Sequence, residues 1–334
     1  MKKVFISIIV VCLVLTSIFA FACSKERVAE GEYTIVAPDG APALALASIA
    51  KNGQVTETLK IVPSIVNPTQ IAAEAIKSDF AIVPANLAAN LYNKDQSYMM
   101  VAAVTNGNMF FVSNKDNSNF SLNDLKGKLL YSIGQGSVPA FIMLNLLSAN
   151  SIEYVESETP VAGKVAIKWV ADGATMLPLI KSAGDTTVYG YLADPAVTNM
   201  VAKNIGYRVA DVQDMWKSQT GSEVKGFAQA CLIAKKSICD NNPEVVDAVI
   251  EALKANDSYV VEQSQDARNA IATIYPETTL PQTLVSQVVR NCNVKVLKAS
   301  ENVDYIMATL NAVAALKPAA VGGSVPAKDS GFYY

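Results

Sequence analysis

Three aspartates occupy the same kind of place in this 334-residue chain, each just beyond a short apolar run. Asp39 follows Tyr33-Thr34-Ile35-Val36-Ala37-Pro38, Asp172 follows the run from Val165 to Val170, and Asp194 follows Thr187 to Leu192. A fourth turn, Gly134-Gln135-Gly136-Ser137, follows Leu129 to Ile133 and carries amide and hydroxyl groups instead of a carboxylate. Each turn leads into helical sequence, with Pro42 and Pro139 near two of the starts. Proline suits that position because its missing N–H would have no intrahelical partner. A strand that enters a helix through a glycine turn leaves several backbone N–H groups directed at one spot, which suits an anion or the oxygen end of a polar ligand. The carboxylates have two readings at this stage. They are ligand acceptors, or they are N-caps of their own helices, worth about 1 kcal/mol each.

Other chemistry is excluded or unsupported. The chain has no histidine, which removes Ser-His-Asp and Cys-His catalysis and the commonest metal ligand together. No C-x-x-C or other zinc spacing occurs, and neither a metal nor a cofactor is expected. Cys231 lies in an apolar run and reads as a buried thiol. Cys239 and Cys292 flank a helical region and could pair in an oxidising compartment. With 51% hydrophobic and 17% charged residues, the chain is no disordered polymer. The net charge of −3 and four scattered arginines, Arg27, Arg208, Arg268 and Arg290, give no nucleic-acid footprint.

The elements that must position these turns alternate strand and helix. Apolar runs at Thr58–Ile65, Phe80–Val83 and Tyr98–Val104 end in Asn67-Pro68-Thr69, Pro84-Ala85-Asn86 and Thr105-Asn106-Gly107-Asn108. Such alternation predicts mostly parallel sheets flanked by helices, with ligands bound beyond the carboxyl ends of the strands. The order of units then repeats, IGQGSVPA echoing APDGAPA and GYLADPAV echoing AIVPANLA. The run from Phe227 to Ala234 suits a strand returning to the first segment, and the remainder reads as helical. The expected organisation is α/β and two-lobed, with residues 33–113 plus 229–334 in one lobe and 114–228 in the other. Two crossings, near Ser113-Asn114 and Phe227–Gln229, would form a hinge.

The first 22 residues combine Lys2 and Lys3, an apolar stretch from Val4 to Ala22, and small residues before Cys23. This resembles a bacterial lipoprotein signal peptide, whose cleavage would leave a lipidated Cys23 and a tether through residue 32. The alternative is an uncleaved N-terminal membrane anchor. Both tie the chain to a membrane outside the cytoplasm.

The segments VAPDGAPALALASIAK, IGQGSVP, ADPA and VGGSVPAKDSGFYY resemble solute-binding lipoproteins of ABC importers of the nitrate/sulfonate/taurine type, a group that also includes thiamine-precursor and riboflavin binders. The resemblance spans essentially the whole mature chain. It implies a type II periplasmic-binding-protein fold, no enzymatic activity, a monomer that captures a small molecule, and delivery to an ABC permease with its ATPase. Carried onto this sequence, the ligand contacts are Asp39, Gly40, Ala41, Asn67, Thr69, Asn86 and Asn106 from one lobe. From the other they are Gln135, Gly136, Ser137, Asp172, Thr175 and Asp194, where relatives often have glutamate at the last position. No arginine falls at these turns and three aspartates do, so the cleft reads as neutral to acidic. That favours a small polar organic ligand, such as a nitrogen heterocycle or vitamin precursor, over a nitrate- or sulfonate-class anion. An enzyme on the same fold, of pyrimidine-synthase type, and a lipid-anchored sensor are the rival readings.

Overall fold

The computed structural model describes residues 27–334, so the expected signal segment and Cys23 lie outside the described residues. Twelve strands form two six-stranded sheets. In chain order the first are β1 (Gly31–Pro38), β2 (Leu59–Val66), β3 (Phe80–Pro84), β4 (Tyr98–Thr105), β5 (Met109–Ser113) and β6 (Leu129–Ser132). The others are β7 (Tyr154–Glu156), β8 (Val165–Trp169), β9 (Tyr189–Ala193), β10 (Tyr207–Asp211), β11 (Ala230–Lys235) and β12 (Val294–Lys298). The first sheet has the order β12-β4-β11-β3-β1-β2 and the second β10-β5-β9-β6-β8-β7. In the first, β1 pairs parallel with β2 and β3, while β11 returns antiparallel between β3 and β4. In the second, β6 pairs parallel with β8 and β9.

The helices connecting these strands are α1 (Ala41–Leu44), α2 (Ala47–Asn52), α3 (Ile71–Ala75), α4 (Ala85–Asp95), α5 (Val138–Ala149), α6 (Gly173–Ser182), α7 (Ala196–Ala202) and α8 (Val212–Thr220). After β11 come α9 (Lys236–Asn241), α10 (Pro243–Glu262), α11 (Ser264–Ile274), α12 (Ser286–Asn291) and α13 (Val303–Leu316). No helix among the described residues is long and apolar enough to cross a membrane. Strand side chains alternate between faces, so Ile35, Ala37 and Ile82 join a core with α1, α2, α10 and α11, while Val36, Ala81 and Val83 join a second core on the other face. That second core continues through Phe227 and Trp216 into the second lobe. The sequence VPAFIMLNLLSA of α5 is apolar almost all round because α5 packs between its own sheet and α13 of the first lobe.

Three expectations are corrected. Met109–Ser113 belongs to the second sheet, paired antiparallel with β9 and β10, so the first crossing is Asn106–Asn108 instead of Ser113-Asn114. Four apolar residues and a serine satisfy either sheet, and only pairing with β9 and β10 decides. Val294–Lys298 is a strand at the edge of β4, in a stretch read from sequence as helical. Cys239 and Cys292 are free, not paired; each is buried as a small apolar side chain in the first-lobe core, and burial pushes both thiols up to about 12.

Candidate functional site

The two glycine turns keep open faces. Gly40 has φ 98° and Gly136 φ 77°, and a Cβ added at either would meet nothing within 4 Å. The amides of Gly40 and Ala41 on one lobe, and of Gly136, Val138 and Ala140 on the other, make no hydrogen bond among the described residues. Neither helix has a side-chain cap. The Ser137 hydroxyl turns back to donate to the Gly134 carbonyl at 2.5 Å, leaving the first turn of α5 uncovered. These turns stand at the carboxyl ends of β1 and β6, and they offer hydrogen-bond donors.

The side chains expected to accept hydrogen bonds are mostly committed within the fold. Asp39 is buried and caps nothing. Its Oδ1 accepts from the Thr278 hydroxyl at 2.6 Å, and its Oδ2 from the Thr279 amide and hydroxyl, each at 2.7 Å. Asn67 caps the turn that follows β2, accepting from the Thr69 amide and hydroxyl, and both residues are exposed. Asn86 donates at 3.3 Å to the Ala320 carbonyl, fastening the C-terminal segment to α4, and its Oδ1 is buried without a partner. Asp172 is the N-cap of α6, accepting from the Thr175 amide at 2.7 Å and hydroxyl at 2.8 Å; the amide bond holds its carboxyl below the usual range.

Asn106 is a knot between the crossings. Its Nδ2 donates to the Lys295 carbonyl at 2.8 Å, its Oδ1 accepts from Tyr305 at 3.0 Å, and its backbone carbonyl accepts from Asn293 Nδ2 at 2.7 Å and from the Phe227 amide at 3.2 Å. Asn106 is 1% exposed, with every side-chain polar atom engaged. Its place in the fold is to tie the two crossings to the first lobe.

Asp194 revises the charge of the cleft. Its side chain is fully buried, accepting from the Thr198 amide at 2.8 Å and pairing with Arg208 Nη2 at 2.7 Å. Arg208 lies near the start of β10, at none of the turns expected to contact ligand, and stacks 4.0 Å above the Phe110 ring. Phe110 in turn lines an interlobe pocket of about 130 Å³ with Asp211 and Lys225 of its own lobe and Arg290, Asn291 and Asn293 of the other. Two arginines therefore stand beside the junction, and the reading of the cleft as acidic loses Asp194, whose charge Arg208 balances.

Sequence reasoning missed a second-lobe cluster next to the Gly136 turn. Gln135 Nε2 donates at 3.3 Å to Glu156 Oε1, and Trp169 Nε1 donates to the same oxygen at 2.8 Å. Trp169 ends β8 and is half-buried. A tryptophan two residues before the ADGAT turn was the available signal. Its relation to Glu156, 13 residues earlier, is set only by the parallel pairing of β7 with β8.

No family model and no curated protein matches the chain. Solved structures do. An ABC transporter protein from Parabacteroides distasonis superposes with a TM-score of 0.71 at 20% identity, covering 90% of this chain and 98% of its own. The periplasmic aliphatic sulphonate binding protein SsuA of Escherichia coli gives 0.61 at 12% identity, covering 91% and 92%. The alkanesulfonate-binding protein SsuA of Xanthomonas axonopodis pv. citri, bound to MOPS, gives 0.58 at 13% identity, covering 90% and 96%. With these similarities and two sheets joined by two crossings, the chain has the two-lobed type II periplasmic-binding-protein fold.

Proposed function

We propose that this chain is the solute-binding component of an ABC import system. It holds a small polar ligand between its lobes and delivers it to a membrane permease driven by a separate ATPase. One observation carries the reading: two open glycine turns, one per lobe, present unpaired amides at the strand ends, while the lobes join through two crossings tied at Asn106. The neighbours of the same fold named for what they bind are sulfonate-binding proteins, which supports capture over turnover.

The ligand end that meets these turns is an acceptor. The turns supply donors, whereas Asp39 and Asp194 are buried with each carboxylate oxygen already accepting within the fold. An organic oxyanion such as a sulfonate or carboxylate fits helix N-termini of this kind. A nitrogen heterocycle with ring carbonyl or amino groups is the second reading, favoured by the half-buried Trp169 beside Gln135.

Thermal unfolding against a panel of alkanesulfonates, carboxylates, pyrimidines and vitamin precursors tests the function. A true ligand at 100 times its Kd stabilises the folded chain by about 2.7 kcal/mol and is recovered chemically unchanged. If no member shifts the transition, or if the purified protein converts one, the proposal fails. Membrane attachment through Cys23 belongs to the same proposal. Cys23→Ser is expected to release the protein from membranes on fractionation, and full retention would favour an uncleaved apolar anchor.

A further inference from the structure

Trp169 stands where β8 reaches the ligand edge of the second lobe, and packing against the core leaves its ring half-exposed. Glu156 Oε1 receives both the indole N–H and the Gln135 amide, so one carboxylate fixes the ring against the Gly136 turn. Glu156 Oε2 makes no hydrogen bond among the described residues. The local charge is one-sided. Glu156 and the exposed Asp172 flank the end of β8, whereas neighbouring Lys168 projects to the other face of the strand and pairs with Glu158. An indole whose N–H is bound to an anion is electron-rich on its face, and tryptophan is the best of the aromatic side chains at attracting a cation.

We infer that Trp169 and Glu156 select a ligand carrying a positively charged nitrogen, the ring face and the uncommitted carboxylate oxygen receiving it together. The inference rests on the binding reading above and sharpens its ligand class. Such a ligand would place its cationic nitrogen at Trp169 and any oxyanion at the unpaired amides of Gly136, Val138 and Ala140, which begin beside Gln135.

Matched probes separate charge from shape: 2-aminoethanesulfonate against 2-hydroxyethanesulfonate, and choline against 3,3-dimethylbutanol. The chain has two tryptophans, and the other, Trp216, is buried, so Trp216→Phe leaves Trp169 as the emission reporter. The charged member of at least one pair is expected to bind at least about fivefold more tightly and to change Trp169 emission. Trp169→Phe should keep part of that ratio, and Trp169→Ala and Glu156→Gln should bring it towards one in proteins that still unfold cooperatively. Equal binding of charged and neutral members, or a ratio unchanged in Trp169→Ala, overturns the inference and leaves the binding function standing. Binding only of uncharged or purely anionic compounds from the wider panel overturns it as well. Absence of binding by every compound removes both readings.

Discussion

The backbone oxygen of Asn106 and the α-carbon of Gly226 lie so close that a Cβ built on Gly226 would sit 1.9 Å from that oxygen. The first residue belongs to one crossing between the lobes and the second to the other. A Cβ on Gly107, also in the first crossing, would meet the Phe227 ring at 2.7 Å. The crossings therefore pass each other at glycine-only distance, joined by the Phe227 amide to the Asn106 carbonyl. The lobes are joined at this point, where neither crossing can step sideways past the other.

Gly226→Ala follows from this packing. The residue has φ 99°, and the clash is with backbone, which cannot rotate away. A loss of at least about 2 kcal/mol is expected, read as a lower denaturant midpoint. Wild-type stability in this variant would mean that the crossings can separate freely.

Asp194 and Arg208 give an ordered pair of outcomes. The carboxylate is fully buried, whereas the Arg208 side chain is 32% exposed. Removing the arginine strands a buried charge, so Arg208→Ala is expected to cost about 3 kcal/mol. Asp194→Asn keeps an acceptor for the Thr198 amide and leaves a partly hydrated guanidinium, a smaller loss. Equilibrium unfolding of the two variants checks the order.

Asp257 supplies the pH dependence. It lies in α10 with Oδ2 accepting from the Val296 amide at 3.0 Å and Oδ1 buried without a partner, and burial pushes its carboxyl up to about 6. A carboxyl raised in the folded state binds more protons there than in the unfolded chain. Its contribution therefore favours folding at low pH and declines as pH rises from about 4 to about 6. Asp257→Asn keeps the hydrogen bond and removes the charge. Relative to wild type it should gain about 1 kcal/mol at pH 7.5, after allowance for the group's partial exposure, and nothing at pH 4. A constant difference across that range would place the ionisation elsewhere.

The C-terminal aromatic residues act as a missing strand segment. The Met100 amide donates to the Phe332 carbonyl at 2.7 Å and the Tyr334 amide to the Met100 carbonyl at 2.9 Å, while the Phe332 ring is fully buried against Tyr92. Phe332→Ala is expected to lose about 3–5 kcal/mol, and deletion of residues 332–334 more, because the β4 backbone loses its partners as well. Urea titration of both variants measures the difference.

Much of the architecture was legible because its signals are local. Apolar runs closed by Asp-Gly, Gly-Gln-Gly-Ser or Asp-Pro turns announce strand, turn and helix within about a dozen residues, and they named the turns that the fold gathers at its strand ends. Sheet membership was less legible. Met109–Ser113 carries the same apolar signal whichever sheet it joins, and Val294–Lys298 is too short for its alternation to outweigh the helical sequence around it.

By itself the sequence determined the repertoire: no histidine chemistry, glycine turns opening onto helices, and aspartates at three of the strand-end turns. Which groups remain available to a ligand was decided by the tertiary structure alone. Asp39 finds its partners 239 and 240 residues along the chain, at Thr278 and Thr279, and Asp194 finds Arg208 in β10, across β5 from its own strand end. A buried carboxylate must be paired wherever its partner lies in sequence, so its commitment is a property of the packed chain. Open amides at Gly40 and Gly136, with Trp169 fixed by Glu156, are what that packing leaves exposed.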